Sequence, residues 1–156
     1  MMLNTKPNKT SLKVLITGGA GYIGSELVGF FLREGHSVTV VDTLEYGPAS
    51  LLRYTNNDNF NFEKLDVRKK AHVSVLLEAA DVIIPLAALV GFPLCDKRER
   101  DAVEVNFETN KWISENKKPE QILIYPCTNS GYGVSKGGTV CTEESPLNPV
   151  SLYGIT

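Results

Sequence analysis

A short glycine-rich stretch decides the fold of this chain: Thr17-Gly18-Gly19-Ala20-Gly21-Tyr22-Ile23-Gly24. An apolar run before it, residues 12–16, predicts a buried strand, and the apolar positions within residues 26–34 predict an amphipathic helix after it. Gly18 permits the tight turn between them, Gly21 lets the backbone approach a pyrophosphate, and Gly24 lets the helix pack closely on the strand. The pattern predicts a dinucleotide-binding unit whose helix N-terminus, including Tyr22 and Ile23, faces the phosphates.

A second apolar run, residues 37–41, follows the helix and ends in Asp42, 24 residues beyond Gly18. A carboxylate at that strand end can accept hydrogen bonds from both hydroxyls of the adenosine ribose. Asp42 favours NAD over NADP, since it repels a 2′-phosphate and no Arg or Lys stands within several residues of it along the chain. Glycines also serve ordinary turns, but strand, turn, helix, strand and terminal acid in this order favour the dinucleotide interpretation.

Length and composition restrict the class of protein. The 156 residues are 42% apolar and 22% charged, which is typical of one ordinary globular domain. A net charge of −2 without a basic cluster argues against nucleic acid as a partner. The longest apolar run, residues 82–90, contains Pro85 and is too short to cross a bilayer, so we expect no membrane association.

Two further features concern the ends and the cysteines. Residues 1–11 are polar and lack the apolar core of a signal peptide, so they are predicted to be a disordered lead-in before a domain at 12–156. The three cysteines, Cys95, Cys127 and Cys141, are scattered and show no metal-ligand spacing. Free thiols in a reducing cytoplasm and no metal site are the expectation.

The glycine-rich stretch resembles the signature of the extended short-chain dehydrogenase/reductases, the superfamily of NAD-dependent nucleotide-sugar epimerases and dehydratases. The resemblance runs from about residue 13 to the last residue. Chains of that family are about twice as long as this one. The resemblance therefore implies an N-terminal half, an incomplete Rossmann domain that stops before strands 6 and 7 and lacks the C-terminal substrate domain.

Two later segments match cofactor-binding positions of the family. An alternating run at 60–65 predicts a third strand, and after it Asp66-Val67-Arg68 resembles the family's Asp-x-Arg, in which the Asp side chain and the next backbone amide hold the adenine edge. The alternative is that Asp66 caps a helix at 69–79. A fourth strand at 81–88 resembles the strand that places backbone beside the nicotinamide ribose and pyrophosphate, here through Leu86, Ala87 and Ala88. Pro85 stands where that family usually has His.

The next segments are predicted as a loop, a helix and a strand. Gly91 and Pro93 predict a loop over residues 89–100, and residues 101–117 predict a long amphipathic helix. Its expected buried positions are Ala102, Val105, Phe107, Trp112 and Ile113. Asn106 matches a family Asn near the active site, but a satisfied structural residue is the favoured interpretation. Residues 121–126 predict a fifth strand, which completes a doubly wound parallel sheet in the order 3-2-1-4-5.

The candidate catalytic residues come from the resemblance. Thr128 and Tyr132 resemble the family's Ser-Ser/Thr-x-x-x-Tyr-Gly motif, with Thr128 at the place of the catalytic hydroxyl. Tyr153 resembles the Tyr of Tyr-x-x-x-Lys, the base that takes the proton of a sugar hydroxyl during a transient oxidation by NAD. A phenol with a pKa near 10 needs about 4 kcal/mol of phenolate stabilisation to reach a pKa of about 7. The Lys of the motif would be residue 157, so weak or no catalysis is expected of this chain.

Several alternatives remain open. Asn129-Ser130 stands where the family's dehydratases have Asp-Glu, and neither residue can titrate, which favours an epimerase, or simple oxidation and reduction of the sugar, over a dehydratase. A non-catalytic NAD-binding module fits the same glycine stretch. A nucleotide sugar is the expected substrate of the full-length enzyme. An exposed apolar edge at 122–125 predicts a homodimer or other self-association.

Overall fold

The computed structural model describes residues 10–134 and 140–156. The described residues form one five-stranded parallel sheet in the order β3-β2-β1-β4-β5, which confirms the predicted order. The predicted lead-in lies largely outside the described residues, since residues 1–9 are among those not described.

The elements alternate along the chain as in a doubly wound sheet. The strands are β1 (Lys13–Thr17), β2 (Ser37–Asp42), β3 (Phe60–Lys64), β4 (Val82–Pro85) and β5 (Ile122–Leu123). The helices are α1 (Tyr22–Arg33), α2 (Lys70–Ala79), α3 (Phe92–Lys97), α4 (Glu99–Ala102), α5 (Thr109–Asn116) and α6 (Leu152–Ile155). A π-helical segment, Val103–Glu108, joins α4 to α5, and 3-10 turns form at Leu52–Tyr54 and Asn129–Tyr132.

The apolar residues of β1 point alternately to the two faces of the sheet and so feed two cores. Leu15 packs with Val41 and Ile83 on the face that α2 and α5 cover. Val14 and Ile16 pack with Val28 of α1 on the opposite face. None of the helices that the structure describes is long and apolar enough to cross a membrane.

The segment before α4 corrects the prediction of a loop at 89–100. The structure forms α3 there, and α4 already begins at Glu99. Pro93 stands in the first turn of α3, where a proline lacks only an N–H that would be unpaired anyway. Gly91 takes a φ of +92° just before the helix, so the two residues that predicted a loop instead start a helix.

The π-helical segment corrects one buried position. Ala102, Val105 and Ile113 are buried as predicted, whereas Phe107 is 49% exposed. A π-turn carries more residues per turn than an α-helix, so a spacing of 3.6 residues does not hold across residues 103–108. Trp112 is partly buried and packs against the core.

The fifth strand is shorter than residues 121–126. The Ile122 N–H donates to the Asp81 carbonyl and the Ile124 N–H to the Ile83 carbonyl. The next two rungs of this parallel ladder would need the N–H groups of residues 85 and 126, and both are prolines. The ladder therefore stops, and β5 keeps only Ile122–Leu123.

Candidate functional site

A cavity of about 670 Å³ opens at the carboxyl ends of β1 to β4. Parallel strands end at the same edge of a sheet, so segments far apart in sequence meet there. All eleven residues assigned to the cofactor line this cavity: Gly18, Gly21, Tyr22, Ile23, Gly24, Asp42, Asp66, Val67, Leu86, Ala87 and Ala88. The structure thus brings together in one place the positions that the sequence singled out separately.

Glycine is required at two positions here, Gly18 in the turn after β1 and Gly24 in the first turn of α1. Gly18 has a φ of +70°, and a Cβ there would lie 2.6 Å from the Ala87 nitrogen. A Cβ on Gly24 would lie 2.5 Å from the Gly18 carbonyl oxygen and 2.6 Å from the Gly19 Cα. The Gly18 N–H donates to the Val41 carbonyl at 2.8 Å, which ties the turn to β2. A side chain at 18 or 24 would therefore clash with the backbone that packs against the turn.

The N-terminus of α1 faces the same cavity. The first bond that enters the helix runs from the Ser25 N–H to the Gly21 carbonyl at 3.0 Å. Tyr22 and Ile23 precede that bond, so their N–H groups belong to those that a helix leaves without an intrahelical acceptor. Gly21 caps the helix without a side chain. An anion can therefore approach the positive end of the helix dipole directly.

Asp42 ends β2 and ties two loops together. Its Oδ2 accepts from the Ala20 N–H at 3.0 Å, and its Oδ1 accepts from the Leu44 N–H at 2.8 Å. A carboxylate has about four lone-pair sites, so each oxygen keeps capacity for a ligand hydroxyl. The bond to Ala20 is a role that the sequence did not predict.

Asp66 forms hydrogen bonds with Arg68 and does not cap a helix. Its Oδ1 accepts from the Arg68 N–H at 2.9 Å, and Arg68 Nη2 donates to Oδ2 at 2.7 Å. Hydrogen bonding to Arg68 lowers the pKa of Asp66. The helix-capping alternative is wrong, because the residue before α2 is Lys69 and no side chain caps that helix. The Asp66 carboxylate instead closes the turn at 66–68.

Two arginines line the cavity without having been predicted there. The sequence assigned no function to Arg68, although it belongs to the Asp-x-Arg motif. Arg98 lies in the segment predicted to be a loop. Arg98 Nη1 donates to Glu45 Oε1 at 2.8 Å, and Arg98 Nε donates to Asp101 Oδ2 at 2.9 Å. Asp42 has no Arg or Lys near it along the chain, but the fold brings Arg98 to the cavity that Asp42 lines. Two carboxylates neutralise its charge there.

Thr128 and Tyr153 do not line the cavity. Thr128 caps the 3-10 turn, and its Oγ1 accepts from the Ser130 N–H at 3.2 Å. Tyr153 is partly buried on α6 and packs against the core. The two segments touch, because a Cβ on Gly154 would lie 2.6 Å from the Ser130 carbonyl oxygen. The structure therefore places the 128–132 turn beside the helix of Tyr153, and neither segment lines the cavity.

Asn106 confirms the structural interpretation. Its Oδ1 accepts from the Leu89 N–H at 2.8 Å, and its Nδ2 donates to the Leu89 carbonyl at 2.9 Å. The side chain is buried, and its Nδ2 also lies 3.4 Å from Thr156 Oγ1. Asn106 thus fixes the segment after β4 and reaches the end of α6.

The β-turn-α unit, the acid at the end of β2 and the cavity at the strand ends define a dinucleotide-binding Rossmann domain. A sequence model of the NAD dependent epimerase/dehydratase family matches residues 14–156, and the chain belongs to that family. No group of three or more His, Cys, Asp or Glu that could hold a metal occurs among the described residues.

Three relatives illustrate the match. UDP-glucose 4-epimerase of Lactobacillus helveticus is 31% identical over 149 residues, covering 93% of this chain and 44% of the relative. UDP-N-acetyl-alpha-D-glucosaminuronate decarboxylase of Bacillus cytotoxicus is 30% identical, covering 92% and 43%. A structure of UDP-glucuronic acid 4-epimerase from Bacillus cereus with NAD superposes with a TM-score of 0.82 at 27% identity, covering 92% and 48%. The chain thus spans less than half the length of these relatives.

Proposed function

We propose that this chain is the NAD-binding part of a nucleotide-sugar epimerase. The observation that carries the proposal is the convergence of all eleven expected cofactor residues on one cavity. Relatives that use UDP-sugars, and a structural neighbour that binds NAD, support the same assignment.

The residues at the cavity fit NAD. The glycine turn leaves no room for side chains, and the N-terminus of α1 offers N–H groups from Tyr22 and Ile23 to a pyrophosphate. Asp42 has acceptor capacity for ribose hydroxyls, and Asp66 and the Val67 backbone, which line the same cavity, would hold the adenine edge. Leu86, Ala87 and Ala88 would form the wall beside the nicotinamide half. Bound there, NAD would supply reversible two-electron oxidation of a sugar hydroxyl.

Thr128 and Tyr153 would handle the proton of that hydroxyl. The Thr128 hydroxyl now donates to Ser130 Oγ at 3.2 Å and would exchange this bond for a sugar oxygen. Tyr153 would accept the proton as phenolate. Asn129 and Ser130, in the 3-10 turn, offer no titratable group for the elimination of water, which favours epimerisation over dehydration.

A non-catalytic NAD-binding module is the second candidate. It is favoured by the position of Thr128 and Tyr153 outside the cavity wall. Product formation from a nucleotide sugar separates the two candidates, since a module binds NAD without turnover. The same product assay tests whether this chain catalyses the reaction only weakly.

Calorimetric titration with NAD tests the cofactor part directly. We expect binding by the unaltered chain, weaker binding of NADP, and a loss of NAD affinity of about tenfold in Asp42→Asn, because the ribose loses a charged acceptor. Asp58→Asn is the matched control, since Asp58 is exposed in the turn before β3 and away from the cavity. No binding of NAD, or equal losses in the two variants, would contradict the proposal.

Incubation with NAD and UDP-, GDP-, CDP- and dTDP-sugars tests the epimerase part. A 4-epimer as product, lost in Tyr153→Phe, supports an epimerase, whereas a dehydrated product would overturn that assignment. The assay also reports the nucleotide that the protein prefers.

Location and association complete the proposal. Cys95, Cys127 and Cys141 are free thiols, which supports a reducing, cytoplasmic compartment. Ile122, Ile124 and Tyr125 are about half exposed at the edge of the sheet, which supports self-association.

A further inference from the structure

We infer that Asp101 is a positioning residue for the end of the cavity where we propose that adenosine binds, although Asp101 does not line the cavity itself. The residues that line this adenosine end and are held by Asp101, directly or through one another, are Glu45, Asp66, Arg68 and Arg98. The inference rests on the proposed NAD function and adds a residue that no cofactor motif contains. Asp101 accepts hydrogen bonds from both Arg68 and Arg98. These two arginines connect it to Asp66 and Glu45, which line the cavity.

The chain of contacts begins at the end of β3. Arg68 grips the Asp66 carboxylate with Nε at 3.1 Å and Nη2 at 2.7 Å. The remaining nitrogen, Nη1, donates to Asp101 Oδ1 at 2.8 Å and to Glu104 Oε2 at 3.0 Å. Asp101 and Glu104 together orient the guanidinium that holds Asp66, and Asp101 is the one of the two that also accepts from Arg98.

The same carboxylate holds the other end. Asp101 Oδ2 accepts from Arg98 Nε at 2.9 Å, and Arg98 Nη1 reaches Glu45 in the loop after β2 at 2.8 Å. The loops after β2 and β3 are therefore joined through α4. Asp66, Arg68, Arg98 and Glu45 line the cavity, whereas Asp101 does not.

The physical reason for an effect on binding is preorganisation. Planar guanidinium groups with five donors adopt one orientation when each edge has a carboxylate, and a ligand then meets a wall that is already ordered. Asp101 is about one-third exposed, so solvent screens each ion pair and the effect is moderate. Without Asp101, each arginine keeps a partner at the cavity but loses its common anchor.

Calorimetry with NAD, ADP-ribose and AMP on Asp101→Asn tests the inference. We expect all three affinities to fall by the same factor, about fivefold, because the three ligands share the adenosine end. Asp101→Glu restores most of the loss, since it returns a carboxylate. Glu99→Gln is the matched control: it makes the same change of charge two residues earlier in the same turn, and Glu99 forms no ion pair within the described residues.

A second variant guards against a folding defect in Asp101→Asn. Glu45→Gln releases Arg98 from the opposite end without altering α4, and it should give a loss of the same kind. Unchanged affinities in both variants, or a loss for NAD that spares ADP-ribose and AMP, would overturn the inference. Failure of the unaltered chain to bind any of the three would instead overturn the proposed NAD function.

Discussion

The end of the cavity proposed for adenosine and the Thr128–Tyr153 region are held in different ways. At the adenosine end, short hydrogen bonds and ion pairs join the carboxyl ends of β2 and β3 to α4. The Thr128–Tyr153 region follows a two-residue strand and is held by a 3-10 turn packed against the short α6. Charged side chains hold the first region, whereas the second is held by the contact of Gly154 with the Ser130 backbone and by the packing of Tyr153 against the core.

Gly24→Ala breaks the organised region most severely. The new Cβ would lie 2.5 Å from the Gly18 carbonyl oxygen, so the turn must open or α1 must shift. We expect a loss of about 1–3 kcal/mol in the free energy of unfolding, which is the usual cost of overpacking, and an NAD affinity at least tenfold lower. Denaturant unfolding and calorimetry measure the two effects. Gly131→Ala is the control, since its Cβ would meet the Leu147 side chain at 3.4 Å and the Gly154 carbonyl oxygen at 4.0 Å, which are ordinary contact distances. Equal NAD affinities in the two variants would contradict the account.

Arg68→Met removes the hub of the ion pairs. Asp66, Asp101 and Glu104 would then lose a shared cation, so we expect a melting temperature lower by about 2–4 °C and a several-fold loss of NAD affinity. Arg100→Met removes an arginine that is 90% exposed and whose one ion pair within the described residues is with Glu104, so its melting temperature should stay close to that of the unaltered chain. Similar effects in both variants would show that the hub has no special role.

Acid should weaken the same region through three carboxylates. The pKa of Asp66 is lowered by its bond to Arg68, that of Asp101 by Arg98 and Arg68, and that of Glu104 by Arg100 and Arg68. A lowered pKa contributes stability that is present above the ordinary values of 3.8 and 4.5 and is lost as the pH falls through the folded-state value. The melting temperature should thus drop below pH 4, and the drop should be smaller in Arg68→Met.

Tyr153→Phe should have the smallest effect on the cofactor. Because Tyr153 does not line the cavity, we expect its NAD affinity to stay within about twofold of the unaltered chain while any turnover of a nucleotide sugar is lost. Calorimetry and a product assay on the same preparation separate the two effects. A large loss of NAD affinity would place Tyr153 in the cofactor site and remove the contrast between the regions.

The sequence predicted what local patterns and parallel topology determine. Strand, glycine turn, helix and terminal acid follow one another within residues 12–42, so the phosphate and ribose side of the cavity could be assigned from the order of the residues alone. Contacts between distant residues could not. Arg98 and Glu45 are 53 residues apart, and nothing in either neighbourhood indicates that they meet.

The shortened β5 shows a second limit. Pro126 alone is compatible with the end of a strand, and Pro85 alone with the end of another. Only the register of β4 against β5 reveals that the two prolines fall on successive rungs of one ladder. Phe107 shows a third limit. A π-turn alters the helical spacing there, and no proline or glycine in residues 103–108 indicates it in the sequence.

Hydrogen–deuterium exchange with and without NAD tests the central claim most directly, namely that the main chain of the glycine turn holds the dinucleotide. The account predicts that NAD slows exchange at residues 18–24, 42–45 and 66–68 and leaves residues 129–132 and 152–155 unchanged. Protection confined to the latter two segments, or none at residues 18–24, would contradict it.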